Sequence, residues 1–288
     1  MLRQAFIDLN DYVAFFRGVD FPVLRRTERA MAEFRADEDN VSGKKIAATV
    51  LDDPLMAAKL VIHQQASRSS KQTRDITTVD RAIMMIGVTP FLARFCELKT
   101  VEEQLAAHPQ VLIAVLRVIT RARRAASYAR DFALIRHDVD VEEITLAALL
   151  HEVAEILCGC FAPTLFEQVG AIQREHQGIR SAVAQKIVFK HTFAELQFAL
   201  VKEFGLPELL VSLLDPEQAE TPRVRSVTLA CDLARHSANG WDDPALPDDI
   251  VAISELLRLP PDVLMTRIRV PAEATGKLLP PGADETEA

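Results

Sequence analysis

Between Val111 and Phe132 the residues Val111, Val115, Val118, Ala122, Ala125, Ala129 and Phe132 follow one another at steps of four and three. That spacing places seven apolar side chains on one stripe of a single helix, and Pro109 suits its first turn. A strand has no use for the pattern, because its faces alternate every second residue. The chain must therefore contain a long helix, from 109 to about 136, whose stripe other elements cover. Composition points the same way: 39 Ala and 33 Leu make up 72 of 288 residues, with only 10 Gly. Ala and Leu are strong helix formers, and glycine stands at roughly half its usual share of about 7%. Sandwiches, barrels and glycine-rich phosphate loops are disfavoured. The expected fold class is all-α, a multi-helix bundle.

Further helices are read around this one. Residues 2–17 form an amphipathic segment with Phe6, Leu9, Val13 and Phe16 on one side, and Phe21-Pro22 opens a second helix through Phe34. Asp52-Asp53-Pro54 starts another, with proline in the first turn. Arg68 to Asp75 is a polar loop, and Thr77 to Asp80 supplies a cap for a helix that Gly87 ends. Asp140, with Glu143 three residues on, caps a helix expected to run unbroken to Cys158. His191 precedes a capping box formed by Thr192 and Glu195. The division expected is an N-terminal helix (1–18), a main domain (19–268, with parts 19–108 and 109–268) and an acidic, proline-bearing tail (269–288) without structure.

Charge and cysteine narrow the function classes. Lys and Arg number 33 against 41 Asp and Glu, a net charge of −8, so the chain lacks the basic footprint of a nucleic-acid binder. With 2 Tyr and 1 Trp it also lacks stacking platforms for single strands. Cys96, Cys158, Cys160 and Cys231 show no zinc spacing and read as buried, reduced thiols in a cytoplasmic protein. Arg3, Asp8 and Asp11 interrupt any secretory signal, and His151, Glu152 and Glu155 make the most apolar region, 144–162, too polar to span a membrane.

That apolar region is the one that carries chemistry. On a helical wheel Ile144, Ala148, His151, Glu155 and Cys158 share a face, while leucine, valine and isoleucine fill most of the rest. A helix apolar nearly all round is buried, so its ionisable groups need partners. His151 and Glu155, four apart, are expected to pair with each other, and so are Asp232 and His236. The alternative is a metal or catalytic centre. Arg117, Arg121 and Arg124 flank the apolar stripe of the long helix, with Arg123 and Arg130 on its other side. They read as basic chains snorkelling beside an apolar seam rather than as phosphate forks.

Residues 147–155, Ala-Ala-Leu-Leu-His-Glu-Val-Ala-Glu, resemble the "LLHDIGK" helix of the HD superfamily of metal-dependent phosphohydrolases. The whole chain, over about 19–268, more closely resembles the HDOD domain (HD-related output domain) of bacterial signalling proteins. Asp53 to Leu60 is similar to its "DPxLxxKLL" helix, Ile76 to Gly87 to its "AIxxLG" segment, Glu203 to Pro207 to its "xxWxLP" turn and Val227 to Ala234 to its late helix. The resemblance implies a non-enzymatic signalling module with protein partners, open to a nucleotide second messenger or to homodimer formation. With no receiver, EAL or GGDEF segment visible in the sequence, a stand-alone form is expected. It makes His151, Glu152 and Asp232 relics of a metal site, with no resident cofactor. Glu155, His191, Arg121 and Arg124 are candidates for a ligand or supporting role. The upstream metal-binding His has no counterpart in 125–130, Glu152 replaces Asp, and Ala154-Glu155 replaces the usual Gly-Lys. A divergent phosphohydrolase using His151, Glu152 and Asp232 with a divalent ion is the alternative.

Overall fold

The computed structural model describes residues 1–67, 77–176 and 178–278. It is helical throughout, and the described residues contain no strand, only an isolated bridge between Val23 and Thr100. The first part holds α1 (Leu9–Arg17), α2 (Arg25–Ala36), α3 (Gly43–Leu51), α4 (Pro54–Ala66), α5 (Val79–Ile86), α6 (Val88–Arg94) and α7 (Val101–Gln104). The second is built on α8 (Pro109–Ile135), followed by α9 (Val141–Leu150), α10 (Val153–Phe161), α11 (Pro163–Glu175), α12 (Ser181–Phe189), α13 (Phe193–Glu203) and α14 (Glu208–Leu213). The chain continues through α15 (Pro222–His236), α16 (Leu246–Leu257), α17 (Pro261–Arg267) and α18 (Ala272–Leu278).

The long helix is where the periodicity put it. All seven stripe residues, Val111 through Phe132, are buried, and α8 packs on α9, α10 and α15. Gly159 is required by this packing, since a Cβ there would run into the Val115 side chain. Gly87 and Gly205 end helices at positive φ, as their places in the sequence suggest. Burial from both parts merges into one apolar core. The segment Val141–Phe161 has the length and hydropathy of a membrane span, but 83% of its most apolar stretch is buried inside the fold.

Four expectations need correction. Residues 2–8 are not helical: α1 begins only at Leu9, capped by Asp8, and the preceding segment lies across the bundle with the Leu2 amide on the Phe161 carbonyl. The helix expected to run from Asp140 to Cys158 is broken at His151-Glu152, and the Asp140 side chain makes no cap. Residues 272–278, placed in the unstructured tail, form α18 with Leu278 buried, because Ala274 and Leu278 lie one turn apart and meet the core side. Residues 279–288 of that tail and the 68–75 loop lie outside the described residues. Cys96 is half-buried, whereas Cys158, Cys160 and Cys231 are buried free thiols.

Candidate functional site

The break between α9 and α10 creates the site. Leu150 ends one helix and Val153 starts the next, so the Leu150 carbonyl and Ala154 amide lose their helical partners. Gln197 on α13 replaces both: its Nε2 donates to the Leu150 carbonyl (2.9 Å) and its Oε1 accepts from the Ala154 amide (2.7 Å). Gln197 was not anticipated. Its signal was a polar side chain on the apolar face made by Phe193, Leu196 and Leu200.

The break swings Glu152, only 6% exposed, toward α8. Arg121 on α8 donates from Nε to both Glu152 oxygens (2.9 and 2.7 Å) and from Nη2 to Glu155 Oε2 (2.9 Å). Arg235 on α15 approaches Glu152 from the other side (3.5 Å) and binds Asp232 at 3.2 Å. Burial opposes the Arg121 charge, but Glu155 and Glu152 outweigh it and hold the guanidinium well above its ordinary range. Burial pushes the Glu155 carboxyl up, and Arg121 pulls it back. Arg121 is therefore not a snorkelling surface chain. Its partners lie 31 and 34 residues away in sequence, out of reach of any local spacing rule.

The other candidates fall into place around this pair. His151 does not pair with Glu155, because the break separates them; its Nδ1 is buried with no hydrogen-bond partner among the described residues. Burial lowers its pKa, which keeps the imidazole neutral. Asp232 pairs with Arg235 rather than His236, whose Nδ1 lies 2.6 Å from Asp249 on α16. Arg124 donates to the Ser237 carbonyl (3.3 Å), and Arg123 pairs with Asp52. His191 stands apart, with Nε2 at 2.9 Å from the Ile7 carbonyl, tying the N-terminal segment down beside the Thr192–Glu195 capping box. The position sought at 125–130 for a metal-binding His is not the one facing Glu152; one to two turns earlier, Arg121 faces it. Among the described residues, no three His, Cys, Asp or Glu side chains converge as a cation would need.

The sequence matches the HDOD domain family over residues 23–219. That match stops short of residue 268, although α15 and α16 pack into the same bundle. None of the curated proteins matches the sequence. Among solved structures, the chain is similar to a virulence factor (cj0248) from Campylobacter jejuni, with 18% identity, 94% of this chain and 99% of that one covered, and a TM-score of 0.66. It is similar to the MmoQ response regulator from Methylococcus capsulatus, with 18% identity, 88% and 99% covered, and a TM-score of 0.66. At such identities the likeness concerns the fold. With the family match spanning more than half of its length, this chain belongs to the HDOD domain family.

Proposed function

We propose that this protein is a non-catalytic signalling or regulatory module of the cytoplasm, acting through protein partners, whose former metal centre is closed by an internal ion pair. The supporting observation is the Arg121 guanidinium held between Glu152 and Glu155. A hydrolytic centre of the HD kind needs carboxylate and imidazole donors turned on one divalent ion, which polarises phosphate and activates water. Here the carboxylate that follows His151 spends both oxygens on a guanidinium. The charge a cation would bring is already present, so a second cation would meet electrostatic repulsion in a poorly solvated place. Glu152, Asp232 and His151 are on this reading structural, and no resident metal is required.

The phosphohydrolase reading makes an opposed forecast. Full-length protein purified without chelator is expected to carry far less than one equivalent of Mn, Fe or Zn and to leave bis-p-nitrophenyl phosphate intact. One equivalent of metal, lost in His151→Ala together with measurable hydrolysis, would overturn the proposal.

A further inference from the structure

A cleft separate from the Arg121 centre opens where α4, the end of α6 and the end of α13 meet. Its volume is about 390 Å³, toward the lower end of the roughly 300–1,000 Å³ of small-molecule sites. Four aromatic side chains, Phe16, Phe21, Phe95 and Phe204, line it, with Phe21 edge-on to Phe204 at 5.7 Å between centroids. His63 lies edge-on to Phe95 at 5.6 Å and also lines the cleft. Burial and the nearby Arg94 lower the His63 pKa, so it offers a neutral imidazole, able to donate and accept. No hydrogen-bond partner for its ring is found among the described residues.

The cleft's cations are not equivalent. Lys59 is held by Asp20 (2.5 Å), and Arg17 by Glu203 (2.9 Å). Arg94 has no carboxylate in salt-bridge range among the described residues, and Glu97, which also lines the cleft, is exposed. Aromatic walls with one ring-sized polar handle and a guanidinium that no described carboxylate pairs suit a flat heteroaromatic ring bearing an anionic group. The volume suits a single nucleotide and is tight for two.

We propose that this cleft is a binding site for a nucleoside monophosphate, its base against the wall that His63, Phe95 and Phe204 form and its phosphate on Arg94. Phe21, Ile62 and Phe204 also line a second, small apolar space of about 20 Å³, together with Leu150, Val153 and Gln197. The site thus abuts the α9–α10 break without opening onto Arg121, and it does not depend on whether the centre there is catalytic.

The test is calorimetric titration of the full chain with AMP, GMP, adenosine, inorganic phosphate and cyclic di-GMP. AMP or GMP is expected to bind once per chain, at least tenfold more tightly than adenosine or phosphate, with cyclic di-GMP weaker. Arg94→Ala should weaken binding tenfold or more, and Ala66→Trp, at an exposed position on the cleft wall, should abolish it with the thermal transition kept. Arg117→Ala on α8 should change nothing. No saturable binding of either monophosphate at millimolar concentration would overturn the proposal. So would affinity that Arg94→Ala and Ala66→Trp leave intact, or adenosine and phosphate each binding as well as AMP.

Discussion

Asp53 and Glu152 are two buried carboxylates at the same kind of place, the residue before a helix start, and they are used in opposite ways. Asp53 is fully buried and keeps its charge local: it accepts from the Leu55 and Met56 amides of its own helix, from the Leu24 amide and from the Thr27 hydroxyl. These four neutral donors cap α4 and fasten α2 to it. Glu152, one methylene longer, makes no cap at α10 and reaches across to Arg121 instead. The short carboxylate is a joint within one part of the fold. The long one is committed to charges on other helices, chiefly Arg121 on α8 with Arg235 on α15 at longer range.

That difference can be broken at its stronger end first. Arg121→Met leaves Glu152 and Glu155 buried without their cation and is expected to cost about 3–5 kcal/mol in urea unfolding. A loss below about 1 kcal/mol would mean that Arg235 alone suffices. Asp53→Ala removes a cap and leaves the Leu24 amide and Thr27 hydroxyl short of an acceptor, a cost of about 2–3 kcal/mol. Asp53→Asn keeps one acceptor oxygen and is expected to cost about half as much. If the alanine variant were the more damaging of the two sites, the contrast drawn above would be reversed.

The smallest effect lies in pH. His151 has a folded pKa below its unfolded value because of burial, so the unfolded chain takes up the proton first as pH falls. The stability this group supplies is present above about pH 6.5 and is lost progressively below it. His151→Gln should flatten the fall in stability between neutral and mildly acid pH. A residual slope should remain, since His63 is shifted in the same direction. An unchanged profile would show that the His151 pKa is the same in the folded and the unfolded chain, against the account.

The parts of the molecule legible in sequence are those set by neighbours a few residues apart. The stripe on α8, the Asp53-Pro54 start of α4, the Thr192–Glu195 capping box and the glycine helix ends at Gly87 and Gly205 all follow from local spacing. The site was only half legible. His151 and Glu152 stood out because ionisable residues in an apolar helix are costly, but their partners came from α8, α13 and α15. The i,i+4 rule assumes an unbroken helix, so the break at His151-Glu152 voided the pairing expected with Glu155. It failed again at Asp232, where Asp249 on α16 takes the His236 ring. Arg121 looked like its neighbours Arg117 and Arg124 in sequence. Only the approach of α10 distinguishes it.

The central claim is that Arg121 supplies the charge Glu152 requires. A double-mutant cycle on unfolding free energy, with Arg121→Met, Glu152→Gln and the double variant, measures that directly. The expected coupling is about 2 kcal/mol or more, with the double variant more stable than Arg121→Met alone. A coupling under about 0.5 kcal/mol, the range of exposed surface pairs, would contradict the account.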